Sequence, residues 1–179
     1  ELFDSGLLPE QMRVRRAEAN GLTIYDMVRD EKLYPLATYL DAADVALARN
    51  KTSLGTFVSA QDETDEGLRW WGIVGLHLLE GHAVLAADTL TAALEDSEDE
   101  IRIMAAWTLV KLGQSEQAFA TLDDMLMNGC KNEDMLHTVL DWMGQPAFPL
   151  VKKYIENGGN RQGKYGIGIL GRIAQMNGW

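Results

Sequence analysis

The sequence predicts an all-α fold: a short α-solenoid of about four helical hairpins, preceded by an N-terminal helical segment. Three observations predict it. First, Leu68-Arg69-Trp70-Trp71-Gly72-Ile73-Val74-Gly75-Leu76 recurs, altered, 33 positions later as Ile101-Arg102-Ile103-Met104-Ala105-Ala106-Trp107-Thr108-Leu109. A period of about 20 to 50 residues is the signature of stacked repeats. Second, glycines at 81, 113 and 144 break the chain at intervals of 32 and 31 residues. Third, no stretch shows the alternation of a half-buried strand.

Residues 1–8 read as irregular. Pro9 suits a helix first turn, and Glu10 complements the positive helix end, so 9–19 is a helix that stops at Asn20-Gly21. Thr23-Ile24-Tyr25-Asp26 has the spacing of a capping box and opens a short helix that ends near Asp30. Pro35 opens the next helix, whose apolar face is Leu36, Tyr39, Leu40, Ala43 and Leu47, and Asn50 closes it. Helices then follow at 52–61 (Leu54, Phe57, Val58), 66–79 with the first copy, 83–94 (Leu85, Leu90, Leu94) and the second copy to Leu112. The third pair is 115–127 and 133–143. The fourth is 146–156 (Phe148, Val151, Tyr154, Ile155) and 163–176 (Tyr165, Ile169, Leu170, Ile173). The chain thus divides into an N-terminal helical linker segment, 1–50, and a repeat array, 51–179, with units at approximately 51–80, 82–113, 115–144 and 146–176.

A two-helix unit of this size cannot bury its apolar faces alone, whereas stacked copies can. Leu68 with Leu76, and Ile101 with Leu109, share one face. Small residues between them, Gly72 or Ala105 and Ala106, let a partner helix approach closely. Acidic residues come first in both copies, Asp65-Glu66 and Glu98-Asp99-Glu100, where the helix dipole favours them. Arg69 and Arg102 then pair with acids of their own or adjacent turns. This pattern resembles the second helix of HEAT-like repeats. Gly72-Ile73 in the first copy, where two alanines are typical, and Leu136 and Gly166 in place of the arginine in the third and fourth, depart from it.

Composition narrows the function. The 179 residues carry a net charge of −11 and a pI near 4.6. Nucleic acid needs a basic surface, and an anionic membrane surface repels such a chain. No apolar run approaches the roughly 18 residues of a membrane span. Cys130 is the one cysteine, in the turn Asn128-Gly129-Cys130-Lys131-Asn132, so no internal disulfide forms. The abrupt start at Glu1, with no signal peptide in view, predicts an excised domain or the remainder of a longer polypeptide.

The stretch Glu1-Leu2-Phe3-Asp4-Ser5-Gly6-Leu7-Leu8-Pro9-Glu10, with Arg16-Ala17-Glu18 and Gly21-Leu22-Thr23-Ile24-Tyr25-Asp26-Met27, carries a second resemblance. It is similar to the segment after the catalytic domain in bacterial sulfatases of the arylsulfatase and N-sulfoglucosamine sulfohydrolase-like family, where a HEAT-like helical region follows. The resemblance implies a periplasmic or extracellular, non-catalytic C-terminal domain. The family's nucleophile lies in a Cys/Ser-x-Pro-x-Arg motif beside calcium ligands. Cys130 is followed by Lys131-Asn132 and does not match it, so the chemistry would lie upstream.

The residues themselves suggest no catalytic, cofactor or metal site. His77 and His82 are five apart, not the three or four that place two ligands on one helix face, and are expected to face solvent or cap helices. The acidic runs 62–66 and 95–100 lack the calcium-loop pattern and read as solvated turns. Candidate interaction residues are Trp70, Trp71 and Trp107, at the free positions of the two copies, and Arg13, Arg15 and Arg16, the one compact basic cluster. Trp70 lies about 200° from Leu68 on the wheel and points away from its hairpin partner. It either packs under a neighbouring segment or anchors another domain or a carbohydrate. The arginines form salt links within this acidic chain or meet an anionic ligand or catalytic domain. The expected function is a non-catalytic helical repeat domain of a sulfatase, packing on or assembling the catalytic domain in cis. The alternative is a stand-alone scaffold for another protein. No cofactor, nucleic acid or membrane span is expected.

Overall fold

A computed structural model describes residues 7–157 and 160–176, with side chains throughout except within 160–165 and at 173 and 176. The irregular start expected over residues 1–6 lies outside the described residues, as do the side chains of Tyr165 and Ile173. Among the described residues every regular element is helical: α1 (Glu10–Ala19), α2 (Ile24–Met27), α3 (Leu36–Leu47), α4 (Leu54–Ser59), α5 (Glu66–Leu78), α6 (Ala87–Ala92), α7 (Asp99–Lys111), α8 (Glu116–Asn128), α9 (Glu133–Met143), α10 (Phe148–Asn157) and α11 (Asn160–Met176), with 3₁₀ turns flanking α4 and α6.

Each boundary has a local cause. The Thr23 hydroxyl accepts from the Asp26 N–H at 3.1 Å and donates to its carboxylate at 2.7 Å, which starts α2. Asp65 caps α5 through Gly67 and Leu68, and Asn132 caps α9 through Met135. Gly113 and Gly144 end α7 and α9 with φ of 76° and 64°, a region that suits glycine. At the first break the left-handed residue is Glu80, φ 51°, not Gly81.

The helices form two layers. α5, α7, α9 and α11 stack side by side, and α3 extends that row against α5. The second layer holds α4, the 3₁₀–α6 segment, α8 and α10. One apolar cluster runs through both layers, from Leu8 and Met12 to Ile169, so the N-terminal segment shares the core of the array.

Three expected apolar faces are corrected. In α3 the interior takes Tyr39, Ala43 and Ala46, while Leu36, Leu40 and Leu47 are exposed. α3 ends the row and has a stacking neighbour in it on one side only, which narrows its buried stripe. The expected helix 83–94 begins as a 3₁₀ segment, Glu80–Ala86. With three residues per turn, Ala83 and Ala86 face inward and Leu85 faces out, 80% exposed. Phe148 is also exposed; Ala147, Val151 and Tyr154 face the core instead.

Candidate interaction surface

Of the two readings of Trp70, packing under neighbouring helices is the one its burial supports, and Trp71 is enclosed beside it. They are 1% and 5% exposed, so neither indole projects from the surface as an anchor. α5 packs against α3, α4 and α7. The side of α5 that faces away from α4 is therefore interior as well. Its glycines make room for this enclosure. A Cβ at Gly67 would lie 2.6 Å from the Tyr39 ring, and one at Gly75 would lie 2.5 Å from the Phe57 ring. At Gly72 it would lie 2.8 Å from Ala60 Cβ, the close approach expected there.

Trp107 is half-buried and belongs to a row that the sequence reading missed. Its ring centroid is 4.3 Å from that of His77 and 5.4 Å from that of Trp142. One member comes from each of α5, α7 and α9. Lys111 Nζ lies 5.9 Å from the Trp107 centroid, and Trp142 is 38% exposed. The available signal was an aromatic ring in each successive second helix, at 77, 107 and 142.

His77 is not solvent-facing: it is 7% exposed. Its Nδ1 lies 3.0 Å from Thr108 Oγ1, and that hydroxyl donates to Met104 O at 2.8 Å. The hydroxyl has one proton, so His77 Nδ1–H is the donor in the first bond. Burial, then the charges of Lys111 and Arg49, lowers the His77 pKa to about 4. His82 is exposed, and burial lowers the pKa of half-buried His137. Burial also pushes the Cys130 thiol up to about 11, which leaves it protonated and unreactive at neutral pH. Among the described residues no group of His, Cys, Asp and Glu could hold a metal ion, and no helix is long and apolar enough to cross a membrane.

Two of the three candidate arginines tie α1 to the repeat helices. Arg15 reaches Glu98 at 2.5 Å and Glu100 at 2.7 Å. Burial opposes the Arg15 charge, but the hydrogen bonds to Glu100 and Glu98 outweigh it and raise its pKa. Arg16 bonds Glu66 at 2.6 Å, the Leu33 carbonyl at 2.8 Å and the Tyr39 hydroxyl, which in turn donates to Asp65 at 2.8 Å. Arg13 is half-buried on the same helix. The second acidic run is accordingly not a solvated turn: Glu100 is fully buried and Asp99 is 5% exposed. Asn132 donates to Glu100 at 2.9 Å, and the Lys131 N–H donates to Asp99 at 2.5 Å. Arg69 grips Asp96 with two bonds, 2.8 and 3.1 Å, and Arg102 pairs with Asp99 at 2.7 Å. A run of polar bonds thus crosses the starts of α5, α7 and α9.

Fold and geometry together define an all-α, repeat-like protein whose adjacent units are joined by polar ties at one end of the helices and an aromatic row nearer the other. No protein-family model matches the chain, and no curated protein matches it.

Proposed function

We propose that this chain is a non-catalytic helical repeat domain that packs on, or assembles, the catalytic domain of a sulfatase-like hydrolase in the same polypeptide, outside the cytoplasm. The resemblance of residues 1–27 to the segment after such a catalytic domain is the reason for naming a sulfatase. The observation that carries a domain-packing role is the clamp on α1. Leu8 is 1% exposed, and Arg15 and Arg16 bind the first turns of both α7 and α5. An upstream catalytic domain would thus be followed by a segment that is held on the array from Leu8 onward.

The upstream reading frame tests the proposal. A Cys/Ser-x-Pro-x-Arg sequence encoded before Glu1 supports it, and a start codon beside Glu1 sinks it. The isolated chain should release no sulfate from an aryl sulfate; measurable turnover would make the non-catalytic reading wrong. A stand-alone scaffold for another protein is the second reading, favoured by the exposed Trp142 at the end of the aromatic row.

A further inference from the structure

The outer layer is incomplete beside α3. In the array, α8 packs extensively on α7 and also meets α9. α4 packs on α5 but has no comparable contact with α3. Between α3 and α4, above α5, an open groove of about 590 Å³ remains. Clefts that hold ligands span about 300 to 1,000 Å³. Its apolar lining is Ala42 and Val45 from α3, Phe57 and Ala60 from α4, and Leu68 and Trp71 from α5.

The ionisable groups that line the groove are both carboxylates, Asp41 and Glu63. Both are exposed, and neither forms a salt bridge among the described residues. We propose that this groove seats an amphipathic helix of a partner protein, flanked by lysine or arginine. Apolar anchors at helical spacing would fill the groove, and the flanking cations would meet Asp41 and Glu63. A second copy of this chain fits less well, because each copy carries a net charge of −11. The inference rests on the reading that this chain serves a protein partner, not on the partner's being a sulfatase. An upstream frame without a sulfatase would leave the groove result standing.

The test uses the 179-residue chain and a fluorescein-labelled model peptide of about 18 leucine, alanine and lysine residues, with leucines at i, i+3, i+4 and i+7. A scrambled peptide of the same composition is the control. Fluorescence anisotropy should show saturable binding with a Kd on the order of 10 μM, and at least about tenfold weaker binding of the scrambled peptide. Gly55→Phe blocks the groove. Gly55 is exposed on α4, and a Cβ there meets nothing within 4 Å, so the fold is retained. It should weaken binding about tenfold or more with thermal unfolding unchanged, and Asp41→Lys with Glu63→Lys should weaken it and flatten its salt dependence. Equal binding of both peptides, no binding by about 1 mM, or binding that is indifferent to Gly55→Phe overturns the proposal. So does a dimer in sedimentation that Gly55→Phe abolishes, which would give the groove to a second copy.

Discussion

In the shared register of the two repeat copies, Gly67, Gly72 and Gly75 of α5 correspond to Glu100, Ala105 and Thr108 of α7. α5 lacks Cβ atoms where the Tyr39 and Phe57 rings press on it. α7 carries side chains at the same positions, and two of them make polar ties: Glu100 to Arg15 and Thr108 to His77. One helix register therefore supports two kinds of contact. One place in from the end of the row, α5 accepts aromatic rings from α3 and α4. In the middle of the row α7 is joined by polar bonds to α1 and α5, so buried charge replaces close backbone approach.

The severest break in this comparison is Ala106→Glu in α7. Ala106 is fully buried, and an unpaired carboxylate there should cost about 4 kcal/mol or abolish folding. Urea unfolding measures the loss, and an unchanged midpoint would remove the repeat register from which α5 and α7 are compared. Arg15→Ala comes next. It leaves Glu100 buried with Asn132 as its remaining side-chain partner, so a loss of about 3 kcal/mol is expected. A loss within about 0.5 kcal/mol, the range of ordinary surface changes, would mean that α7 does not depend on this tie.

The tie between α5 and α7 is open to titration. His77 has a folded pKa of about 4, against an ordinary value near 6.5. Between those values the unfolded chain binds more protons than the folded one, so stability rises with pH. The contribution is present in full above about pH 6.5 and falls as pH drops towards 4, by at most about 3 kcal/mol. His77→Gln keeps a neutral donor for Thr108 and should flatten urea stability across that window. An unaltered slope would show that other groups carry it. The mildest probe exchanges the small residues. Gly75→Ala should cost about 2 kcal/mol through overpacking against Phe57, and Ala105→Gly about 1 kcal/mol through backbone entropy. If calorimetry finds Gly75→Ala neutral or stabilising, the glycine of α5 is not there to admit the ring.

Much of this was legible locally. The 33-residue recurrence and the glycine breaks located α5 and α7 within a residue or two, because caps and apolar spacing act over a few positions. The pairing of Arg15 and Arg16 with the chain's own acids is one of the two readings that the charge balance leaves open. What was misread depended on neighbours. Leu85 was placed inward on a 3.6-residue wheel, but the segment winds at three residues per turn. Leu36, Leu40 and Leu47 were read as a buried face because the pattern does not reveal that α3 ends its row. For Trp70 the wheel leaves packing under a neighbour and anchoring an outside molecule both open, because it shows only one partner, whereas α5 has three. The groove beside α3 has no sequence signal at all, since its lining comes from three helices.

Helical character, and which residues are small enough for close contact, can be read from the residues alone. These are properties of short segments, set by backbone preference, capping and the 3.6-residue period. Which faces are buried, which acids lie inside and where an aromatic row and an open groove form are set by the packing of the helices. Those depend on how many neighbours each helix has, and in a stack that number changes from the end of the row to its middle.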